Sequence, residues 1–155
     1  MKYLLVTTIV LFLGLTSCKR GIIFEGERTI NESSWHQDSV LEFKVLITDT
    51  SSPNNVVYEV INNNDYPFSN LYLFTDVHFP NGKIIKDTLE MFLATPKGRW
   101  IGKGWFGSHK TVFPFRMNIR FPYLGYYTFK IKQAMRCPSQ TLNGITHFGM
   151  AVKRR

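Results

Sequence analysis

Apolar and polar residues alternate with a period of two along most of the chain. Over residues 40–47, Leu41, Phe43, Val45 and Ile47 share one side while Glu42 and Lys44 share the other, the signature of a half-buried strand. A turn cluster with two Ser and a Pro occupies residues 49–55. Further strands are predicted over residues 56–61, 71–79 and 84–93. The last two are joined by Pro80-Asn81-Gly82, where Asn-Gly favours a type I′ hairpin turn. Phe113, Phe115, Met117, Ile119 and Phe121 then alternate with Pro114, Arg116, Asn118 and Arg120. Tyr127, Phe129 and Ile131 do the same against Thr128, Lys130 and Lys132. A last strand over residues 145–153 buries Phe148, Met150 and Val152. The Gly-rich segment 95–110 breaks the period and reads as a long loop. These elements predict an all-β chain, a single antiparallel β-sandwich of about seven or eight strands.

Composition agrees. Aromatic residues make up 15% of the chain, and rings favour pleated surfaces over helices. With 44% hydrophobic and 19% charged residues, the chain has enough apolar surface for one core and is not a disordered or multi-span membrane sequence.

The N-terminus departs from this pattern. Lys2 precedes an apolar stretch, residues 4–15, broken only by Thr7, Thr8 and Gly14. It is shorter than the roughly 20 residues a spanning helix needs and reads as a signal peptide over residues 1–17. Leu15-Thr16-Ser17-Cys18 has the shape of a lipobox, in which the Cys18 thiol takes a diacylglyceryl group and cleavage leaves Cys18 as the first residue. Cys18 is therefore the expected lipid-attachment site, carrying palmitate-type acyl chains; two or three such chains hold a protein firmly at a membrane. The alternative is an ordinary cleaved signal with a Cys near its end. Residues 18–38, polar and mixed in charge apart from a possible short strand at Ile22-Ile23-Phe24, are expected to form a tether. Residues 39–155 are then the sandwich domain. If Cys18 is acylated, Cys137 has no intramolecular partner and reads as a passive thiol.

Candidate chemistry is sparse. The four His residues are scattered, with no second ligand at zinc spacing, so no metal and no cofactor are expected. A hydrolase would need Asp76, His78 or Glu90 to converge in one cleft, and no nucleophile elbow accompanies them. Gly98, Gly102, Gly104 and Gly107 lack the spacing of a phosphate loop. The expectation is a non-enzyme without a small-molecule substrate. Net charge is +8; an exported protein rarely meets nucleic acid, so anionic lipid head groups, polysaccharide or an acidic protein are the partners this charge suggests. If residues 113–121 and 127–131 form a hairpin with both aromatic rows inward, Arg116 falls opposite Lys130 or Lys132. Like charges so opposed are costly. That predicts a face on which Arg116, Arg120, Lys130 and Lys132 bind an anion or acidic partner, weighed against a merely solvated edge. Trp100, Trp105 and Tyr72 are candidate stacking platforms for an alternative function, an envelope glycan- or lipopolysaccharide-binding module.

Several blocks carry a family resemblance. They are Tyr66-Pro67-Phe68-Ser69-Asn70-Leu71-Tyr72-Leu73-Phe74, Phe79-Pro80-Asn81-Gly82-Lys83, Asp87-Thr88-Leu89-Glu90 and Gly98-Arg99-Trp100-Ile101-Gly102-Lys103-Gly104. Phe121-Pro122 follows, leading to Gly125, Tyr127, Phe129 and Gln133-Ala134-Met135-Arg136. In this order they resemble the GldH family of gliding-motility lipoproteins. The resemblance implies a non-catalytic accessory component of gliding motility and the associated type IX secretion machinery, without a cofactor. Its implied partners are the membrane, through N-terminal acyl chains, and other envelope motility or secretion proteins. Lys19-Arg20-Gly21 lacks the acidic run expected of surface-exported lipoproteins in such bacteria, which favours the periplasmic face of the outer membrane.

Overall fold

The computed structural model describes residues 21–155; the signal segment and Cys18 lie outside the described residues. Eight strands make two four-stranded antiparallel sheets. One has the order β1 (Ile22–Thr29), β10 (Ile145–Arg154), β4 (Asn54–Asn63), β7 (Ser108–Ile119), and the other β3 (Leu41–Ile47), β8 (Gly125–Gln133), β5 (Asn70–His78), β6 (Ile84–Phe92). Two short strands, β2 (Ser34–His36) and β9 (Thr141–Asn143), pair with each other. The chain is an all-β sandwich, as the alternation predicts.

The period-two rows become the core. Phe43, Val45 and Ile47 of β3, Tyr127, Phe129 and Ile131 of β8, and Val56, Tyr58 and Val60 of β4 are all buried. Phe148 of β10 ties the layers together: its ring lies 5.3 Å from Tyr58, 5.8 Å from Trp35 and 6.1 Å from Phe43. Each such fully buried side chain contributes about 1.5–3 kcal/mol relative to exposure. On one flank β1 and β3 close the sandwich through the Phe24–Phe43 edge contact and the Arg28 guanidinium, which lies over Phe43 and donates to the Glu42 carbonyl. On the opposite flank β6 and β7 are bridged by the ion pair of Arg116 with Asp87.

Three expectations are corrected. The tether over residues 18–38 does not extend that far. β1 runs the length of β10 from Ile22↔Lys153 to Thr29↔His147, and Ile30 and Trp35 are buried with 7% and 1% exposure. Large apolar side chains that the core can cover pull the segment onto it, and the Trp35 indole N–H is met by the Ser39 carbonyl at 3.1 Å.

The hairpin of β7 with β8 does not form. β7 pairs with β4, and β8 pairs with β3 and β5 in the other sheet. Pro114 has no N–H for a ladder and suits an edge strand, the position β7 occupies. Successive β4 residues Val56 and Val57 face Arg116 and Pro114, leaving Phe115 as the extra residue of a bulge. A second irregularity near Asn118, at φ 55°, helps turn Met117 outward to 53% exposure. The β5–β6 turn is also of another type. Gly82 N–H donates to the Phe79 carbonyl and Phe79 N–H to the Lys83 carbonyl, while only Gly82 (φ 84°) takes a positive φ. This is a three-residue type I turn with a bulge rather than type I′.

Candidate functional site

The four cations expected to gather on one face are divided between the layers. Arg116 projects from β7 and pairs with Asp87 of β6. Its guanidinium also lies 4.6 Å from the Phe115 ring centroid. Lys130 lies on the outer face of the second sheet, where Glu42, Lys130, Asp76 and Lys86 stand in register across the four strands. Signs alternate along that row. Lys130 Nζ is 3.7 Å from Glu42 and Lys86 Nζ is 3.7 Å from Asp76; Lys132 Nζ reaches Asp38 at 4.0 Å. The like-charge opposition expected at Arg116 is thus replaced by carboxylates, each of which draws on the lysine charge an incoming anion would need. Beside the row, an open groove of about 720 Å³ carries Phe74, Lys86, Lys130 and Lys132 on its walls. Arg120 differs from the others: its Nε donates to the Ser51 carbonyl, and among the described residues no carboxylate pairs with it.

The candidate stacking rings do not form one platform. Trp100 packs partly against the core, stacked on His109 with centroids 5.3 Å apart. Tyr72 lies on β5 and faces Glu90 in register; a hydrogen bond to that carboxylate raises its phenol pKa. Trp105 and Phe106 stand out at the tip of the β6–β7 connection with 83% and 103% exposure. Phe106 takes φ 53°, an uncommon conformation for a bulky residue, and the tip closes by the Ser108 N–H donating to the Trp105 carbonyl. Lys97, Arg99 and Lys103, all exposed, surround this pair in the sequence. Exposure makes the pair the most prominent apolar feature at its end of the sandwich; Trp105 is one of the expected stacking residues, and Phe106 beside it is the addition.

The groups a hydrolase would need are dispersed. His78 ends β5 opposite Ile84, whereas Glu90 sits opposite Tyr72 six positions along the same ladder, about 20 Å at strand rise. The Asn70 amide donates to Glu90 at 2.6 Å, and Asp76 belongs to the charged row. No group of three His, Cys, Asp or Glu among the described residues is arranged to hold a metal ion. Cys137 is partly buried against the core, and desolvation raises its thiol pKa. A thiol so placed is a poor nucleophile at neutral pH.

The family model of the GldH lipoprotein matches residues 22–152, nearly the whole described sandwich. The chain belongs to the GldH lipoprotein family. It is 34% identical over 157 residues to the gliding motility lipoprotein GldH homolog of Christiangramia forsetii, covering 98% of this chain and 94% of the relative. It is 32% identical over 157 residues to the gliding motility lipoprotein GldH of Flavobacterium johnsoniae, with the same coverage. The blocks around Tyr66, Pro80 and Trp100 build the β4–β5 connection, the β5–β6 turn and the ring packing at the Trp100 end. Similarity to solved structures is distant. A periplasmic inhibitor of g-type lysozyme from Aeromonas hydrophila aligns with a TM-score of 0.36 and 11% identity, over 91% of this chain and 93% of that one. Tripeptidyl peptidase 2 aligns with a TM-score of 0.46 and 8% identity, over 84% of this chain and 10% of that one. Neither bears on function.

Proposed function

We propose that this family member is a non-catalytic accessory lipoprotein of gliding motility and of the associated type IX secretion machinery. It is held at the periplasmic face of the outer membrane through an acylated Cys18 and docks there onto other envelope proteins. The observation that carries the reading is its match, along almost its entire length, to relatives named gliding motility lipoproteins. The structure adds support in kind. The most exposed large hydrophobic side chains among the described residues are an adjacent Trp and Phe, Trp105 and Phe106, and aromatic rings concentrate binding energy at protein interfaces. The dispersal of Asp76, His78 and Glu90 favours docking over hydrolysis. The scattering of Trp100, Trp105 and Tyr72 favours docking over a stacked glycan platform.

Deletion of the gene in its native host, followed by complementation, tests the reading. Loss of surface spreading and of type IX cargo from the medium, restored by the wild-type chain and not by Cys18→Ser, is the expected result. A deletion strain that spreads and secretes normally would contradict it.

A further inference from the structure

The two ends of the sandwich differ. β1 begins beside Lys153 of β10, Arg154 lies against Asn54 at the start of β4, and Asn54 lies against Ile119 at the end of β7. In the other sheet Ile47, the end of β3, faces Gly125, the start of β8, and Pro80 of the β5–β6 turn packs close to Gly125. Gly21, Arg154 and the connections after β3, β5 and β7 therefore share one end. The Trp105–Phe106 tip, which leads into Ser108 opposite Asn63, sits at the other. The ten residues of β10 separate the two by about 30 Å.

The end that holds Gly21 exposes both apolar and cationic groups. Tyr123 and Leu124, in the connection between β7 and β8, are 44% and 61% exposed, and Leu46 and Tyr126 stand exposed opposite each other across β3 and β8. Lys44 lies over the Tyr126 ring at 4.4 Å. Arg120, Lys153, Arg154 and Arg155 are exposed at the same end. Asp49, which pairs with Arg154 at 3.3 Å, offsets part of this charge; Arg120 keeps its own. Aromatic and aliphatic side chains among Lys and Arg are the composition of a membrane–water interface. Cys18 is three positions before Gly21, so its lipid lies no more than about 10 Å from this end.

We propose that this end of the sandwich seats on the anionic surface of the bilayer that holds the Cys18 lipid, with Tyr123 and Leu124 in the headgroup layer and Arg120 on lipid phosphate. The proposal rests on the reading that Cys18 is acylated. It places the Trp105–Phe106 tip away from that membrane, facing a partner. The test uses the acylated full mature chain, its acylation verified by intact mass, in a Cys137→Ser background. Leu124→Cys or Trp105→Cys is labelled with an environment-sensitive fluorophore and the protein reconstituted into vesicles containing phosphatidylglycerol. Blue-shifted emission from position 124 and water-like emission from position 105 is the expected result. Water-like emission from position 124, or a blue shift at position 105 alone, would overturn the proposal. A second measurement needs no lipid anchor: the Cys18→Ser mature chain should co-sediment with phosphatidylglycerol vesicles more than with phosphatidylcholine vesicles. Arg120→Gln should lower that partition about fivefold, the effect of one cation near an anionic surface, and Trp105→Ser should leave it unchanged. Equal sedimentation with both lipids counts against this face and leaves the acylation of Cys18 standing.

Discussion

Trp35→Ala probes the junction between anchor and domain most sharply. Trp35 is 1% exposed, its ring lies 5.8 Å from Phe148 at the centre of the core, and its indole N–H donates to the Ser39 carbonyl. Truncating a Trp buried this completely costs about 3–5 kcal/mol, from lost transfer energy and the cavity left behind. That is a large share of the 5–15 kcal/mol typical of a whole domain. At roughly 3–4 °C per kcal/mol for a chain of this size, the melting temperature followed by circular dichroism should fall by about 10–20 °C. The fall is expected because β1 and β2 belong to the sandwich. A fall of under about 3 °C would mean that the segment before Leu41 is a tether after all, and would refute the placement of Trp35 in the core.

Gly144→Ala should cost at least ~2 kcal/mol in urea denaturation, because Gly144 has φ 91° and a Cβ there would land on the Tyr66 backbone. Gly82→Ala, with φ 84° and nothing within 4 Å, should cost only about 1 kcal/mol; equal costs would count against the contact with Tyr66. A double-mutant cycle on Arg116 and Asp87, whose side chains are 46% and 30% exposed, should give a coupling of ~1 kcal/mol or less, whereas a coupling above ~2 kcal/mol would mean a desolvated pair. Hydrogen bonds from Ser51 and Ser52 hold the Asp49 carboxyl well below the usual carboxylate range. A lowered folded-state pKa contributes stability above the unfolded value near pH 4 that is lost as pH falls through the folded value. The melting-temperature deficit of Asp49→Asn should therefore shrink on acidification from pH 7 towards pH 2, and a constant deficit would contradict this role.

The long strands were legible because a half-buried strand must alternate: the rows at residues 41–47 and 127–131 coincide with β3 and β8. What alternation cannot state is which strand lies next to which. β7 and β8 are consecutive and similarly patterned, yet they belong to different sheets. Pro114 was the available signal that β7 is an edge strand. The pairing error carried over to the candidate site, since Arg116 meets Asp87 and Lys130 meets Glu42 only once the true neighbours are known. β1 was nearly missed because Glu25, Glu27 and Arg28 break its apolar run, although Ile30 and Trp35 beyond it are core residues. Trp105 is legible as a candidate ring, but its pairing with Phe106 at an exposed tip is not, because exposure depends on what the fold leaves uncovered. Family resemblance, by contrast, was readable directly, because it rests on the order of residues within short blocks around Tyr66, Pro80 and Trp100 and needs no strand pairing, although the fold goes on to bring the Tyr66 and Trp100 rings within 6.4 Å.

Intact-mass spectrometry of the mature protein extracted from envelope membranes is the most direct test of how this lipoprotein is held in place. A chain beginning at Cys18 and heavier by a diacylglyceryl group and its acyl chains is the expected result. A chain with an unmodified Cys18, or one that begins elsewhere and yet stays with the membrane, would contradict it.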